Sequence, residues 1–210
     1  MMLNMKRAVW AVKILTGRAR LIPSKSLTKN STLILNPDDF IGLQSLLCVN
    51  GCEEISASTD LLVMSISDNL ILDLYKEESS FKDWCDSNIK LSEIYNLVNI
   101  LEKNNSNINI ELDNSISLLS NNLKIEVLKN ESKASPNESF VNIVASSNLI
   151  DKQIGDIIPS NDLIKTRGML PARIYQLPQN IFNKFNSPSI QIKQEDNTKD
   201  IQNINFKETK

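Results

Sequence analysis

At 210 residues, 41% of them apolar, the chain is long enough for one or two small domains with a real hydrophobic core. Its 23 Lys and Arg against 25 Asp and Glu leave a formal net charge of −2, without the basic surplus that attracts nucleic acid or anionic lipid, so a protein or small-molecule partner is favoured. There is no histidine, which removes the commonest general base and metal ligand, and three cysteines, an odd number, make no disulfide framework and fit a reducing, cytoplasmic setting.

The opening stretch MMLNMKRAVWAVKIL has Lys6 and Arg7 before an apolar run, but Lys13 interrupts that run and Arg18 and Arg20 follow, so it is not a signal peptide. No run approaches the ~20 apolar residues of a membrane span. Val9 to Leu15 and Arg18 to Ile22 alternate as strands do, and Thr16-Gly17 between them predicts a tight hairpin turn. Thr32 to Leu35 is a third strand, closed by the turn residues Asn36-Pro37-Asp38-Asp39. FIGLQSLL, residues 40 to 47, is expected as a single buried turn, and Ile55 to Ser58 and Leu61 to Ile66 as another pair of strands around Thr59-Asp60.

From Ser67 the apolar period lengthens to that of a helix. Ser67 is placed to cap a helix carrying Leu70, Ile71, Leu74 and Tyr75, and Ser80-Phe81-Lys82-Asp83 resembles a capping box for the next. Leu91, Ile94, Tyr95, Val98 and Leu101 share one face of a third helix, which closes an α+β unit over residues 1 to 103. Residues 104 to 186 form a second, strand-rich α/β module, with INIEL, LKIEVL, FVNIVAS and LPARIYQLP as strands and a helical turn near Ser115 to Leu119. The Asn/Lys/Gln/Glu-rich residues 187 to 210 are expected to be disordered.

This order of elements resembles the cyclic nucleotide-binding domain, the β-roll of catabolite-activator-type regulators. Leu15-Thr16-Gly17-Arg18-Ala19-Arg20-Leu21 is similar to the hairpin of that family, Asp39-Phe40-Ile41-Gly42 with Ser45-Leu46-Leu47 to the start of its phosphate cassette, and Leu61 to Ile66 to its last strand. A narrower resemblance is to the amino-terminal regulatory region of cyanobacterial bacteriocin-type ABC exporters, carried by the helix LSEIYNLVNILE and the segment GMLPARIYQLP. On this resemblance the chain looks like a roll that has lost its first strands, either a split subunit or a remnant, whose exposed edge a partner chain would cover.

The resemblance also implies a ligand site: a cassette glutamate for the ribose hydroxyl and an arginine for the cyclic phosphate, completed by backbone amides. Here Leu43 follows Gly42, and the arginine position falls in Gly51-Cys52-Glu53-Glu54, where carboxylates would repel phosphate. The residues of this degenerate cassette are Phe40, Gly42, Leu43, Ser45, Leu46, Cys52 and Glu53, and neither cyclic AMP nor cyclic GMP is expected to bind. The alternative is a sensor that still takes a nucleotide-like ligand through backbone amides near Gly42.

Other groupings carry less. Cys48, Cys52 and Cys85 match no zinc spacing and read as small buried thiols; Asp38-Asp39 and Glu53-Glu54 read as solvated charge. Five glycines, at positions 17, 42, 51, 155 and 168, make no phosphate-binding loop. Trp10, Trp84, Phe81, Tyr75 and Tyr95 read as core filling, and Arg18, Arg20, Arg167 and Arg173 are too dispersed for a nucleic-acid surface. The expectation is a non-enzymatic regulatory module without metal or cofactor, cytoplasmic or peripheral at the inner membrane through a transporter partner or self-association, with a working surface on the apolar face left by the absent strands and on the helix bearing Tyr95 and Val98.

Overall fold

A computed structural model describes residues 2–4, 10–22, 33–51, 54–87, 91–104, 112–135 and 139–186. In chain order these form β1 (Met2–Asn4), β2 (Trp10–Thr16), β3 (Ala19–Leu21), β4 (Leu33–Leu35), β5 (Phe40–Ile41), α1 (Leu43–Leu47), β6 (Glu54–Ala57) and β7 (Leu62–Ser67). There follow the helices α2 (Asp68–Glu77), α3 (Ser79–Ser87), α4 (Leu91–Asn104) and α5 (Leu112–Asn122). The chain continues with β8 (Lys124–Leu128), β9 (Ser132–Lys133), β10 (Phe140–Val144), β11 (Ile157–Ile158), β12 (Leu163–Ile164), β13 (Ala172–Pro178) and α6 (Gln179–Asn186). The fold is α+β, and every strand pairing among the described residues is antiparallel.

The predicted hairpin at Thr16-Gly17 does not form. β2 pairs with β5 and β7, whereas β3 pairs with β4 and β6, so the chain passes from one sheet to the other at Gly17. The same happens between β6 and β7, which were expected to neighbour each other and instead belong to the sheets β1-β6-β3-β4 and β5-β2-β7. The two crossings are bonded together: the Arg18 amide donates to Thr59 Oγ1 at 2.9 Å, the Ser58 amide to the Arg18 carbonyl at 2.9 Å, and Arg20 Nε to Ser58 Oγ at 2.9 Å. Gly17, at φ +89°, is needed there because a Cβ would lie 2.1 Å from the Asp60 carbonyl oxygen.

Other local expectations fare better. The Asn36 turn closes through Asp39 N to Asn36 O at 3.1 Å, with Asn36 N bonded to Asp39 Oδ2 at 2.7 Å. Ser67 caps α2, its Oγ accepting from Leu70 N at 3.3 Å. The capping box at Ser80 is corrected: α3 begins one residue earlier at Ser79, so Ser80 lies inside the first turn. The turn near Ser115 to Leu119 is the middle of the eleven-residue α5. INIEL lies outside the described residues except for Leu112, which is helical.

The second section was expected as an α/β module, but its sheet, β11-β10-β13-β8, is antiparallel, with β12-β9 as a separate ribbon. Among the described residues no helix stands between β8 and β13, so the crossover helices of a βαβ unit are not seen there. β13 lies inside that sheet and is buried on both faces, with Ala172, Ile174, Tyr175 and Leu177 at 0% exposure. After Pro178 the chain turns directly into α6, whose Ile181 and Phe185, four residues apart, are buried against the same core.

One large core joins the two sections. It includes Ile14, Leu21 and Ile55 of the strands before residue 68, Leu97, Val98 and Leu101 of α4, and Ile143, Tyr175 and Leu177 of the second sheet. α4 runs through its middle with nearly every described side chain covered, including Ser92, Glu93 and Asn96. The working surface expected on the helix of Tyr95 and Val98 is therefore corrected: these residues are 2% and 0% exposed and belong to the interior.

Candidate functional site

The cassette residues fall at the start of α1. Phe40, half-buried on β5, meets Trp84 of α3 edge-on at 5.9 Å. Gly42 has the left-handed φ of +81° and stands at the N-cap of the five-residue helix, where a Cβ-bearing residue would be strained. Leu43, Gln44, Ser45, Leu46 and Leu47 are all buried. Cys52 and Glu53 lie outside the described residues, so the structure gathers five of the seven expected site residues and leaves these two unplaced.

What covers α1 decides its chemistry. Ile71 and Tyr75 of α2, Phe81, Trp84 and Cys85 of α3, and Leu170 form one apolar cluster with Leu43, Leu46 and Leu47. From the other side Ser147 donates twice, its amide to the Cys48 carbonyl at 2.9 Å and its hydroxyl to the Val49 carbonyl. Several backbone groups of the turn are engaged within it, as in Leu46 N to Gly42 O at 3.0 Å, Cys48 N to Gln44 O at 2.9 Å and Asn50 N to Ser45 O at 3.0 Å. Cys48, buried, accepts from Gln44 Nε2 at 2.9 Å, and among the described cysteines neither it nor buried Cys85 is bridged.

Behind this cluster lies a polar network that spacing alone did not reveal. Arg173 of β13, 3% exposed, donates from Nε to Glu93 Oε1 at 2.6 Å and from Nη2 to Glu93 Oε2 at 3.2 Å; Glu93 of α4 is 0% exposed. The same guanidinium donates to the Cys85 carbonyl at 3.0 Å, and Nη1 stands 3.9 Å from Asp86 Oδ1. Asp86 also accepts from Tyr75 OH at 2.7 Å and from Lys82, whose ammonium lies 5.4 Å from the Tyr75 ring centre. The Arg173 amide in turn donates to Ser146 Oγ at 2.9 Å.

Burial by itself would make Arg173 easier to deprotonate, but the Glu93 carboxylate overrides it and holds the guanidinium charged. Tyr75 is pushed well above the usual phenol range, first by burial and then by its hydrogen bond to Asp86. The site thus holds a paired guanidinium and a neutral phenol, both engaged. Chemically it is a staple between α3, α4 and β13 rather than a reactive centre. The signal for it was present in the sequence as charges set into apolar runs, Glu93 in LSEIYNLV and Arg173 in LPARIYQLP. Neither position stands out until both faces of each element are known to be covered.

Among the described residues no group of three or more Cys, Asp or Glu could hold a metal ion, and no helix is long and apolar enough to cross a membrane. No family profile and no curated protein matches the sequence. Solved structures similar to the chain include a cAMP-bound PfPKA-R, at 16% identity over 89% of this chain and 71% of that one, with a TM-score of 0.30. A cAMP-bound regulatory domain of Toxoplasma gondii PKA follows at 10% identity, 88% and 76% coverage and a TM-score of 0.31. The regulatory subunit of a cAMP-independent protein kinase A from Trypanosoma cruzi, bound to guanosine, is 11% identical over 90% and 73%, with a TM-score of 0.30. Likeness at this level transfers neither ligand nor activity, and the functional reading rests on the chain's own geometry.

Proposed function

We propose that the chain is a non-enzymatic regulatory or interaction module derived from a cyclic nucleotide-binding roll, in which the phosphate turn has been converted into core. The observation that carries this reading is the burial of Leu43 to Leu47, none of them more than 9% exposed, with Leu43, Leu46 and Leu47 packed against α2, α3 and Leu170 and Ser147 bonded to the end of the turn. A cyclic phosphate reaching Gly42 would have to displace apolar side chains and break those bonds, while gaining no arginine or glutamate in return. The resemblance of the α4 helix and of Gly168 to Pro178 to exporter regulatory regions supports a place beside a bacteriocin-type ABC exporter.

Its contact surface on this reading is β7. That strand has β2 as its one neighbour among the described residues, and Leu62, Val63 and Met64 are 59%, 37% and 44% exposed. An uncharged apolar edge that no second strand covers among the described residues is a template for another strand. Replacing Met64 by Lys should abolish self-association or capture of a transporter component without lowering the melting temperature. A chain that is monomeric and captures nothing before the substitution refutes this surface.

A melt with millimolar cyclic AMP and cyclic GMP tests the turn. Ligand at ~100 times its dissociation constant would add about 2.7 kcal/mol, or roughly 5 to 10 °C at this size. No shift is expected. A rise would establish instead the sensor that binds through backbone amides near Gly42.

A further inference from the structure

Apart from the turn at α1, a cleft of about 360 Å³ opens between α2 and the strap of residues 166 to 171. This lies at the lower end of the volumes that hold small organic ligands. Its walls are apolar, from Leu72 and Tyr75 on one side to Leu170 and Pro171 on the other, with the strap residue Met169 80% exposed at its margin. Lys76, Lys82 and Lys129 also line it, and no carboxylate does. Lys82 is matched by Asp86, but Lys76 and Lys129 have no carboxylate within 4.0 Å among the described residues. Arg167 lines an adjoining cleft of about 290 Å³ that shares Leu72, Met169 and Leu170, but Asp68 lines that cleft too, with Ser45 and Leu46 of α1, so the surplus of positive charge belongs to the first cleft alone.

The strap is held open from both ends. The Thr166 amide donates to Asn130 Oδ1 at 2.8 Å and the Arg167 amide to the Asn148 carbonyl at 2.8 Å, while Asn148 Nδ2 donates to the Leu170 and Pro171 carbonyls at 2.7 and 3.2 Å. Only Gly168 and Met169 lie between these anchors, and a Cβ on Gly168 would meet nothing within 4 Å. The cleft is therefore formed before any ligand arrives, which lowers the cost of filling it.

We propose that this cleft is a binding site for a small amphipathic anion, a carboxylate, sulfonate or phosphate on an apolar body. The apolar body would rest between Leu72 and Leu170, and the anionic head would be met by the unpaired ammonium groups of Lys76 and Lys129. No residue of the α1 turn or of the β7 edge lines the 360 Å³ cleft, although Tyr75 and Leu170 serve both as its walls and as cover for α1.

The probe is 8-anilinonaphthalene-1-sulfonate, titrated by fluorescence onto the full chain beside N-phenyl-1-naphthylamine, which keeps the aromatic body without the sulfonate. Saturable one-to-one binding of the sulfonate is expected, with the neutral compound weaker by about tenfold or more. The variant Lys76→Glu/Lys129→Glu should weaken the sulfonate by about tenfold or more. A control with the same change of net charge outside both clefts, Lys133→Glu/Lys165→Glu, should alter it by less than about threefold. Four results would overturn the proposal: no saturable binding, equal affinity for the neutral compound, indifference to the cleft substitutions, or equal loss in the control. All four substituted lysines are exposed or half-exposed, and matching melts of the variants confirm that the comparison concerns binding.

Discussion

Removing one partner of the Arg173–Glu93 pair should cost far more than removing both. Arg173→Met leaves the fully buried Glu93 carboxylate without its guanidinium, and Glu93→Gln leaves Arg173 with the Cys85 carbonyl at 3.0 Å and with Asp86 at 3.9 Å. Removing one partner of a buried ion pair costs about 3–5 kcal/mol, and each single variant belongs in that range. At this chain length each kcal/mol moves the midpoint by about 2–4 °C, so the loss is roughly 6–20 °C. The double variant Arg173→Met/Glu93→Leu exchanges the pair for apolar side chains and should be more stable than Arg173→Met alone, because no charge is left stranded. Urea unfolding followed by circular dichroism measures all three against the parent chain. Single variants that each lose less than about 1 kcal/mol would refute the reasoning, since they would mean that water reaches the pair.

Two further outcomes follow from the same geometry. The folded state holds the Tyr75 phenol above its unfolded value of about 10, so the unfolded chain releases that proton first; the contribution is complete below about pH 10 and is lost as pH rises beyond it. Tyr75→Phe should lower stability at pH 8 by about 1–2 kcal/mol for the bond to Asp86 and flatten the alkaline decline, and a decline as steep as the parent's between pH 9 and 11 would place its origin elsewhere. Gly17 and Gly168 both have positive φ, at +89° and +77°, but only Gly17 faces a backbone oxygen. Gly17→Ala should therefore cost at least about 2 kcal/mol more than Gly168→Ala in paired urea melts, the latter losing about 1 kcal/mol for conformation alone; equal losses would show that the crossing relaxes around a methyl group.

Much of the local structure was legible in the sequence because it depends on neighbours in the chain. Ser67 as a cap, the Asn36 turn, the α4 helix and the strand of LPARIYQLP all follow from a few adjacent residues. Partnership between distant segments was not. Thr16-Gly17 reads equally well as a hairpin and as a passage between sheets, and what decides is the Asp60 carbonyl, forty-three positions after Gly17, packed where a Cβ would sit. Likewise Leu43, Ser45 and Leu46 could be assigned to a ligand turn, but their burial depends on Leu170 and Ser147, over a hundred residues away. Met2–Asn4 formed no recognisable strand by composition, yet it pairs with β6 in register Leu3 to Ile55. Glu93 and Arg173 were the hardest to foresee, because each is ordinary alone and they meet across eighty residues.

The enclosed position of α4 bears on how the molecule opens over time. Its amides can meet solvent deuterium only when the strands on one side or the second sheet on the other has come away, and Glu93 gives it a charge-assisted tie to the latter. Exchange along Ile94 to Leu101 should thus report the rarest fluctuation of the chain, while β7, with one open edge, exchanges during far smaller motions. Folding must bring residues as distant as Ile14 and Phe185 into the one core that this helix shares, a long loop closure that slows assembly. A partner that pairs with β7 would then act on an edge that opens more readily than α4, and leave that helix untouched.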